Sequence, residues 1–198
     1  MLQVSDLAFL EWGPLSFSVD AGECLGLSGA SGSGKSLLLR AIADIDPHRG
    51  RVSLDGVAST DVEGPEWRHR VGMLPAESRW WFDTVRPHFP DKTDRELFAK
   101  LGFADAEVLD WPVRRLSVGE RQRLALARLL AHSPRALLLD EPTANLDAES
   151  VRLAEDLIGD YRTTHLAPVL WVAHDAGQLA RVARRRLRML DKELREAA

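Results

Sequence analysis

The chain is poor in the residues that build disulfide-bonded or membrane-embedded frameworks. Among its 198 residues there is one cysteine, Cys24. That excludes an internal disulfide framework and any multi-cysteine metal site. Cys24 stands in an apolar stretch, where a small buried thiol is the expected role. No apolar run approaches the ~20 residues that cross a bilayer as a helix. The start, Met1 to Asp6, lacks a basic region and an apolar run, so it is not read as a secretory leader. A basic balance is missing too. The net charge is −4, which argues against a general polyanion binder, and no direct nucleic-acid partner is expected. The cations are almost all arginine, with lysine only at 35, 92, 100 and 192; nothing functional follows from that bias. Repeats and low-complexity tracts are absent. The expectation is a cytoplasmic chain whose link to a membrane, if it has one, runs through a partner.

What is present suits a globular fold: 45% hydrophobic and 28% charged residues support a sizeable core. The length suits one domain over 1–198. Leu15–Val19 alternates like a half-buried strand, and Arg51–Leu54 does the same before Asp55-Gly56, a hairpin signal. The first 60 residues therefore hold an antiparallel β portion. Val71–Leu74 is a short apolar run. Residues 75–115 differ, with Pro75, Pro87, Pro90, Pro112, adjacent Trp80-Trp81 and a helical pattern at Asp94–Leu101; they read as a small, mainly helical lobe inserted at about 75–118. Glu120–Ala131 has helical apolar spacing, and Val151, Ala154, Leu157, Ile158 and Tyr161 form a helical stripe. Ala136–Leu139 and Val169–Val172 are continuous apolar runs, as in parallel strands buried on both faces. Strands alternating with helices define an α/β fold with a mostly parallel, doubly wound sheet.

Residues 29–36, Gly-Ala-Ser-Gly-Ser-Gly-Lys-Ser, are the most specific feature. They complete the pattern G-x-x-x-x-G-K-S between a short strand (Cys24–Ser28) and a helix (Ser36–Ile42), the context that separates a phosphate-binding loop from a chance match. Small residues let backbone N–H groups of Gly29, Ala30, Ser31, Gly32, Ser33, Gly34 and on to Leu37 turn toward an anion, and the helix N-terminus adds its positive end. Lys35 supplies a compact charge for β/γ-phosphates, and the Ser36 hydroxyl is a Mg²⁺ ligand. Asp140-Glu141 closes a buried strand at the sheet edge where open α/β folds bind ligands. Asp140 is placed to hold Mg²⁺ and Glu141 to polarise the attacking water.

Leu116-Ser117-Val118-Gly119-Glu120-Arg121-Gln122-Arg123 resembles the L-S-G-G-Q signature of ATP-binding-cassette (ABC) ATPases. The order resembles that family as well: phosphate loop, signature, carboxylate strand, then a histidine after the next strand. Asn145-Leu146-Asp147 resembles the family's D-loop, and His174 its switch histidine. The resemblance spans essentially the whole chain. It implies a P-loop NTPase core of ABC type, a mostly parallel sheet flanked by helices, with the antiparallel β portion and the inserted helical lobe. It further implies ATP as ligand, Mg²⁺ as cofactor, and a second copy of the chain. Ser117 and Gly119 of one copy would close over the nucleotide on the other's phosphate loop, and His174 would sense the γ-phosphate. A separate transmembrane permease subunit is the expected partner, which places the chain on the cytoplasmic face of the inner membrane. The alternatives are a soluble ABC ATPase acting on protein or nucleic-acid complexes, and a weakly hydrolysing, ATP-gated dimerisation module.

The pattern departs from the family in three places. Val118 replaces the first signature glycine, and Glu120 the signature glutamine. After Val71–Leu74 the family carries a glutamine, whereas this chain has Pro75-Ala76-Glu77; either Glu77 substitutes as a metal or water ligand or that arm of the site is lost. Adenine stacking falls to Trp12 or Phe9, with Trp12 favoured because Trp12-Gly13-Pro14 reads as an exposed turn. Trp80-Trp81-Phe82 suits either a protein interface or packing of the lobe. The arginine run from Arg181 to Arg188 reads as a solvated face, with contact to anionic lipid headgroups a secondary reading.

Overall fold

The computed structural model describes residues 1–103 and 106–197. Its elements in chain order are β1 (Leu2–Phe9), β2 (Trp12–Val19), β3 (Cys24–Gly29), α1 (Lys35–Ile42), β4 (Arg49–Leu54), β5 (Val57–Ala58), α2 (Gly64–Arg70) and β6 (Val71–Leu74). There follow α3 (Glu96–Lys100), α4 (Val118–Ala131), β7 (Ala136–Asp140), α5 (Ala148–His165), β8 (Val169–Val172), α6 (Ala176–Val182), β9 (Arg185–Leu190) and β10 (Glu193–Glu196). Strands β2-β1-β4-β5 form an antiparallel sheet, and a second sheet runs β10-β9-β3-β8-β7-β6. In the latter β9, β3, β8, β7 and β6 are parallel, and only β10 pairs antiparallel. The expected mixture of an antiparallel β portion and a mostly parallel sheet is what forms.

The parallel sheet is buried on both faces, and strand alternation sorts its residues between two cores. Leu25, Leu27, Leu138, Leu170 and Val172 join one cluster with α1, Trp67 and the antiparallel sheet. Cys24, Leu137, Leu139, Val169 and Trp171 join the other with α4, α5 and α6. The continuous apolar runs of β7 and β8 follow from this, since neither face meets water. The start of α5 has a local cause. Asp147 caps α5 by accepting from the amides of Glu149 and Ser150 (3.0 and 2.9 Å), and the stripe Ala154, Leu157, Ile158 and Tyr161 is buried.

Three local readings change. The helix expected over Asp94–Leu101 is only Glu96–Lys100, and the rest of the described segment between β6 and α4 holds 3-10 turns at Arg86–His88, Ala106–Asp110 and Val113–Arg115. Residues 104 and 105 of that lobe lie outside the described residues. Pro87, Pro90 and Pro112 account for the short elements, since each removes a backbone donor. The arginine run is not simply a solvated face. It holds strand β9, with Leu187 and Met189 buried on either side of outward Arg188, while Arg185 pairs with Glu23 at 3.3 Å and donates to the Ser18 carbonyl. Trp12 does not sit in an exposed turn. It opens β2 and is half-buried.

Candidate functional site

Strand β3 delivers the phosphate loop to the carboxyl edge of the parallel sheet. Gly32 and Gly34 adopt φ of +75° and +83°, a region that glycine enters without steric cost. Within the loop the Ser33 amide donates to the Ala30 carbonyl (3.1 Å), whereas the amides of Ser31, Gly32 and Gly34 donate to no acceptor among the described residues. The Ser33 hydroxyl is buried without a partner. Buried polar groups are normally satisfied, so this cradle of unspent donors points to a missing acceptor. Lys35 is itself buried and donates to the carbonyls of Gly29 and Ala30, both at 2.9 Å. Burial pushes its ammonium below the ordinary lysine range, and the charges of Glu141 and Asp140 oppose that. The Ser36 hydroxyl is exposed and makes no hydrogen bond among the described residues.

The next two strands bring the carboxylates and the histidine to the same edge. Asp140 ends β7 and is 4% exposed, without an ion pair or side-chain hydrogen bond among the described residues. Glu141 follows with φ +49°, a left-handed conformation that is uncommon for a side-chain-bearing residue and clusters at functional sites. Its amide donates to the Val172 carbonyl (3.1 Å), which locks the turn to β8. His174 Nε2, from the segment after β8, lies 3.3 Å from Glu141 Oε1. The contact is close in distance but off the hydrogen-bonding direction, and Oε1 makes no hydrogen bond. Burial raises the Glu141 carboxyl above the usual range; His174 and Lys35 act against that rise, and Asp140 adds to it.

Ser117, Gly119, Trp12 and Glu77 occupy different relations to this centre. Ser117 is the N-cap of α4, and its hydroxyl accepts from the Glu120 amide (3.2 Å) while the Glu120 carboxylate accepts from the Ser117 amide (2.8 Å). Glu120 therefore completes a capping box, a role that the sequence comparison with a signature glutamine did not suggest. Gly119 abuts the turn after β7, since a methyl there would meet Leu146 Cδ2 at 3.4 Å and the Asn145 carbonyl at 3.5 Å. Val118 is exposed. Of the two aromatics weighed for adenine, Phe9 is a core residue. Trp12 lies on the phosphate loop: a methyl on Gly34 would meet its Nε1 at 2.9 Å. Glu77 is exposed after β6, with no ion pair or hydrogen bond among the described residues. Among the described residues no three His, Cys, Asp or Glu side chains cluster as a metal cage.

Sequence reasoning missed the polar ties behind the centre. Gln122 of α4 donates to the Pro142 carbonyl (3.2 Å), and Gln178 of α6 donates to Thr143 Oγ1 (2.7 Å) and Glu155 Oε1 (2.8 Å). Their only sequence signal is position, shortly after the signature and shortly after His174.

Fold and loop together define an α/β domain of the P-loop type. The ABC transporter family model matches residues 13–144. The chain is 38% identical over 180 residues to the rice protein STAR1, covering 85% of this chain and 52% of that one. It is 38% identical over 170 residues to the aliphatic sulfonates import ATP-binding protein SsuB 2 of Agrobacterium fabrum, covering 81% and 63%. It is 36% identical over 172 residues to the cytochrome c biogenesis ATP-binding export protein CcmA of Xanthomonas axonopodis, covering 80% and 79%. The chain thus spans less than two thirds of the first two relatives' lengths. In fold it is similar to the solved ATP binding subunit of an ABC transporter, with TM-score 0.87 and 20% identity over 100% of this chain and 90% of that one. The chain belongs to the ABC transporter family and carries its ATPase domain.

Proposed function

We propose that the chain binds and hydrolyses ATP as half of a head-to-tail dimer, and that the work drives a membrane transporter whose spanning subunit is a separate chain. The observation that carries this reading is the convergence of Lys35, Asp140, Glu141 and His174 on one sheet edge, beside a loop in which the amides of Ser31, Gly32 and Gly34 donate to no acceptor among the described residues. The triphosphate would take those amides. Lys35 would exchange two neutral carbonyls for phosphate oxygens, a change to stronger charge-assisted bonds. Ser36 and Asp140 are the ligands proposed for Mg²⁺, and Glu77 is the proposed substitute for the family's glutamine. The bound cation would offset charge on the phosphates.

The reaction joins a water oxygen to the γ-phosphorus as the bond to the bridging β–γ oxygen breaks and ADP leaves. Glu141 takes the water's proton, and its raised affinity for protons makes it a better base near neutral pH. His174, half exposed beside Glu141, is assigned the γ-phosphate contact. Ser117 and Gly119 reach the same phosphate from the second copy, and Trp12 stacks on adenine. Exposed Trp81 and Phe82, with the Arg128 guanidinium 4.9 Å from the Trp81 ring, support a permease-facing surface. That would hold the chain at the cytoplasmic face of the membrane, although no helix among the described residues is long and apolar enough to cross one. The test is steady-state ATPase rate in Glu141→Gln. A loss of at least about a hundredfold is expected from removing a general base; a wild-type rate would contradict the assignment.

A further inference from the structure

The turn that carries Glu141 continues through Pro142 to Thr143, and the segment that carries His174 continues into α6. Behind the site these two are joined by one side chain. Gln178, 6% exposed, spends both hydrogens of its amide nitrogen, one on Thr143 Oγ1 at 2.7 Å and one on Glu155 Oε1 at 2.8 Å. Thr143 is also buried. Glu155 is held in turn by Arg181, with Nη2 to Oε1 at 2.9 Å and Nε to Oε2 at 3.3 Å. The carboxylate can only accept, so the NH₂ end of Gln178 must face it. The shape and the donors of this side chain are both fully used.

We infer that Gln178 is a positioning residue that sets the Glu141–His174 separation by clamping the strand-end turn of β7 to helix α6 and, through Glu155 and Arg181, to α5. The inference rests on the proposed roles of Glu141 and His174. Its logic is geometric. Glu141 hangs on the main-chain bond to Val172 and on the turn it shares with Thr143, whose carbonyl accepts from the Leu146 amide (3.3 Å). Among the described residues the His174 side chain makes no hydrogen bond, and its one ionic approach is to Glu141. The backbone that presents it is tied before the histidine by the Ala173 amide, which donates to the Leu27 carbonyl (3.2 Å), and after it by the start of α6, where Asp175 accepts from the Gly177 amide (2.8 Å) and Gln178, four residues on, anchors the helix to the β7 turn. The hydrogen bonds of Gln178 go to Thr143 and Glu155 and not to the phosphate loop or the signature, so its removal should leave nucleotide binding intact and disturb the alignment of base and histidine.

The test is the ATPase kinetics of Gln178→Leu, Thr143→Val and the double variant, with Glu141→Gln assayed beside them. Expected is a fall in kcat of at least about tenfold for each single variant, because small misplacements of reacting groups carry that order of cost. KM for ATP should stay within about twofold, and the double variant should lose no more than the worse single one, since both lesions cut the same bond. A role confined to stability would lower the melting temperature while leaving kcat unchanged, and that result overturns the inference. So does a matching rise in KM, or additive losses in the double variant. If Gln178→Leu does not fold, Thr143→Val decides by the same criteria. A wild-type rate in Glu141→Gln would instead remove the underlying reading, whatever Gln178 does.

Discussion

Glu141 is the proposed base of the site, and its partial burial has a consequence for stability. Its folded-state pKa lies above the ordinary value of 4.5 because burial disfavours the anion. Below about that value the group is protonated in both folded and unfolded chains, and it adds no penalty. As pH rises through the folded pKa, the buried carboxyl must ionise, and the stability associated with its neutral form is lost. Glu141→Gln is therefore expected to raise the melting temperature of the nucleotide-free protein at pH 7 to 8, with the gain vanishing near pH 4. An equal gain at both ends would show that charge burial is not the cause. At Cys24, burial pushes the thiol up to about 12. No thiolate is then present at pH 8, so a thiol reagent should leave the folded chain unmodified and label it fully in denaturant. Labelling at the same rate in both would contradict the buried position in β3.

Among the elements, β6 makes a close contact with helix α4. A methyl placed on Gly72 would lie 2.6 Å from Leu129 Cδ1 of α4 and 2.9 Å from Pro134 Cβ, so glycine is required there for helix α4 to pack on the edge of the sheet. Gly72→Ala should destabilise by about 1–3 kcal/mol through overpacking, read as a shift in denaturation midpoint at constant slope. Strands β3, β7 and β8 were legible because burial on both faces writes an unbroken apolar run, and the phosphate loop because its chemistry is local. The carboxylates at 140 and 141 could be placed for the same reason: they end a recognisable strand. Strand β9 was hidden beneath its arginines, since its two buried positions, Leu187 and Met189, are outnumbered by the strand's three arginines, Arg185, Arg186 and Arg188. The capping of Ser117 by Glu120 follows a local rule that can be read from the sequence. The Gln178–Thr143 bond spans 35 residues, and no local pattern announces a pairing made only by tertiary folding.

For the whole molecule, the proposed nucleotide site draws on two groups of residues. The phosphate loop, Asp140, Glu141 and His174 line one edge of the parallel sheet, while Ser117 and Gly119 start α4 beside Asn145 and Leu146. The proposal assigns the latter pair to the nucleotide of a second copy, so that two ATP molecules are shared between two chains. On that proposal such an assembly would form only when both the triphosphate and an intact loop are present. Slowing hydrolysis should trap it, because the bound ATP that bridges the copies then persists. The direct measurement is the solution mass of Glu141→Gln by light scattering, with and without ATP and Mg²⁺. The account predicts twice the chain mass of 22.0 kDa with ATP, and a single chain without it or when Lys35→Ala is added. A Glu141→Gln chain that binds ATP yet stays at the mass of one copy would contradict the shared site.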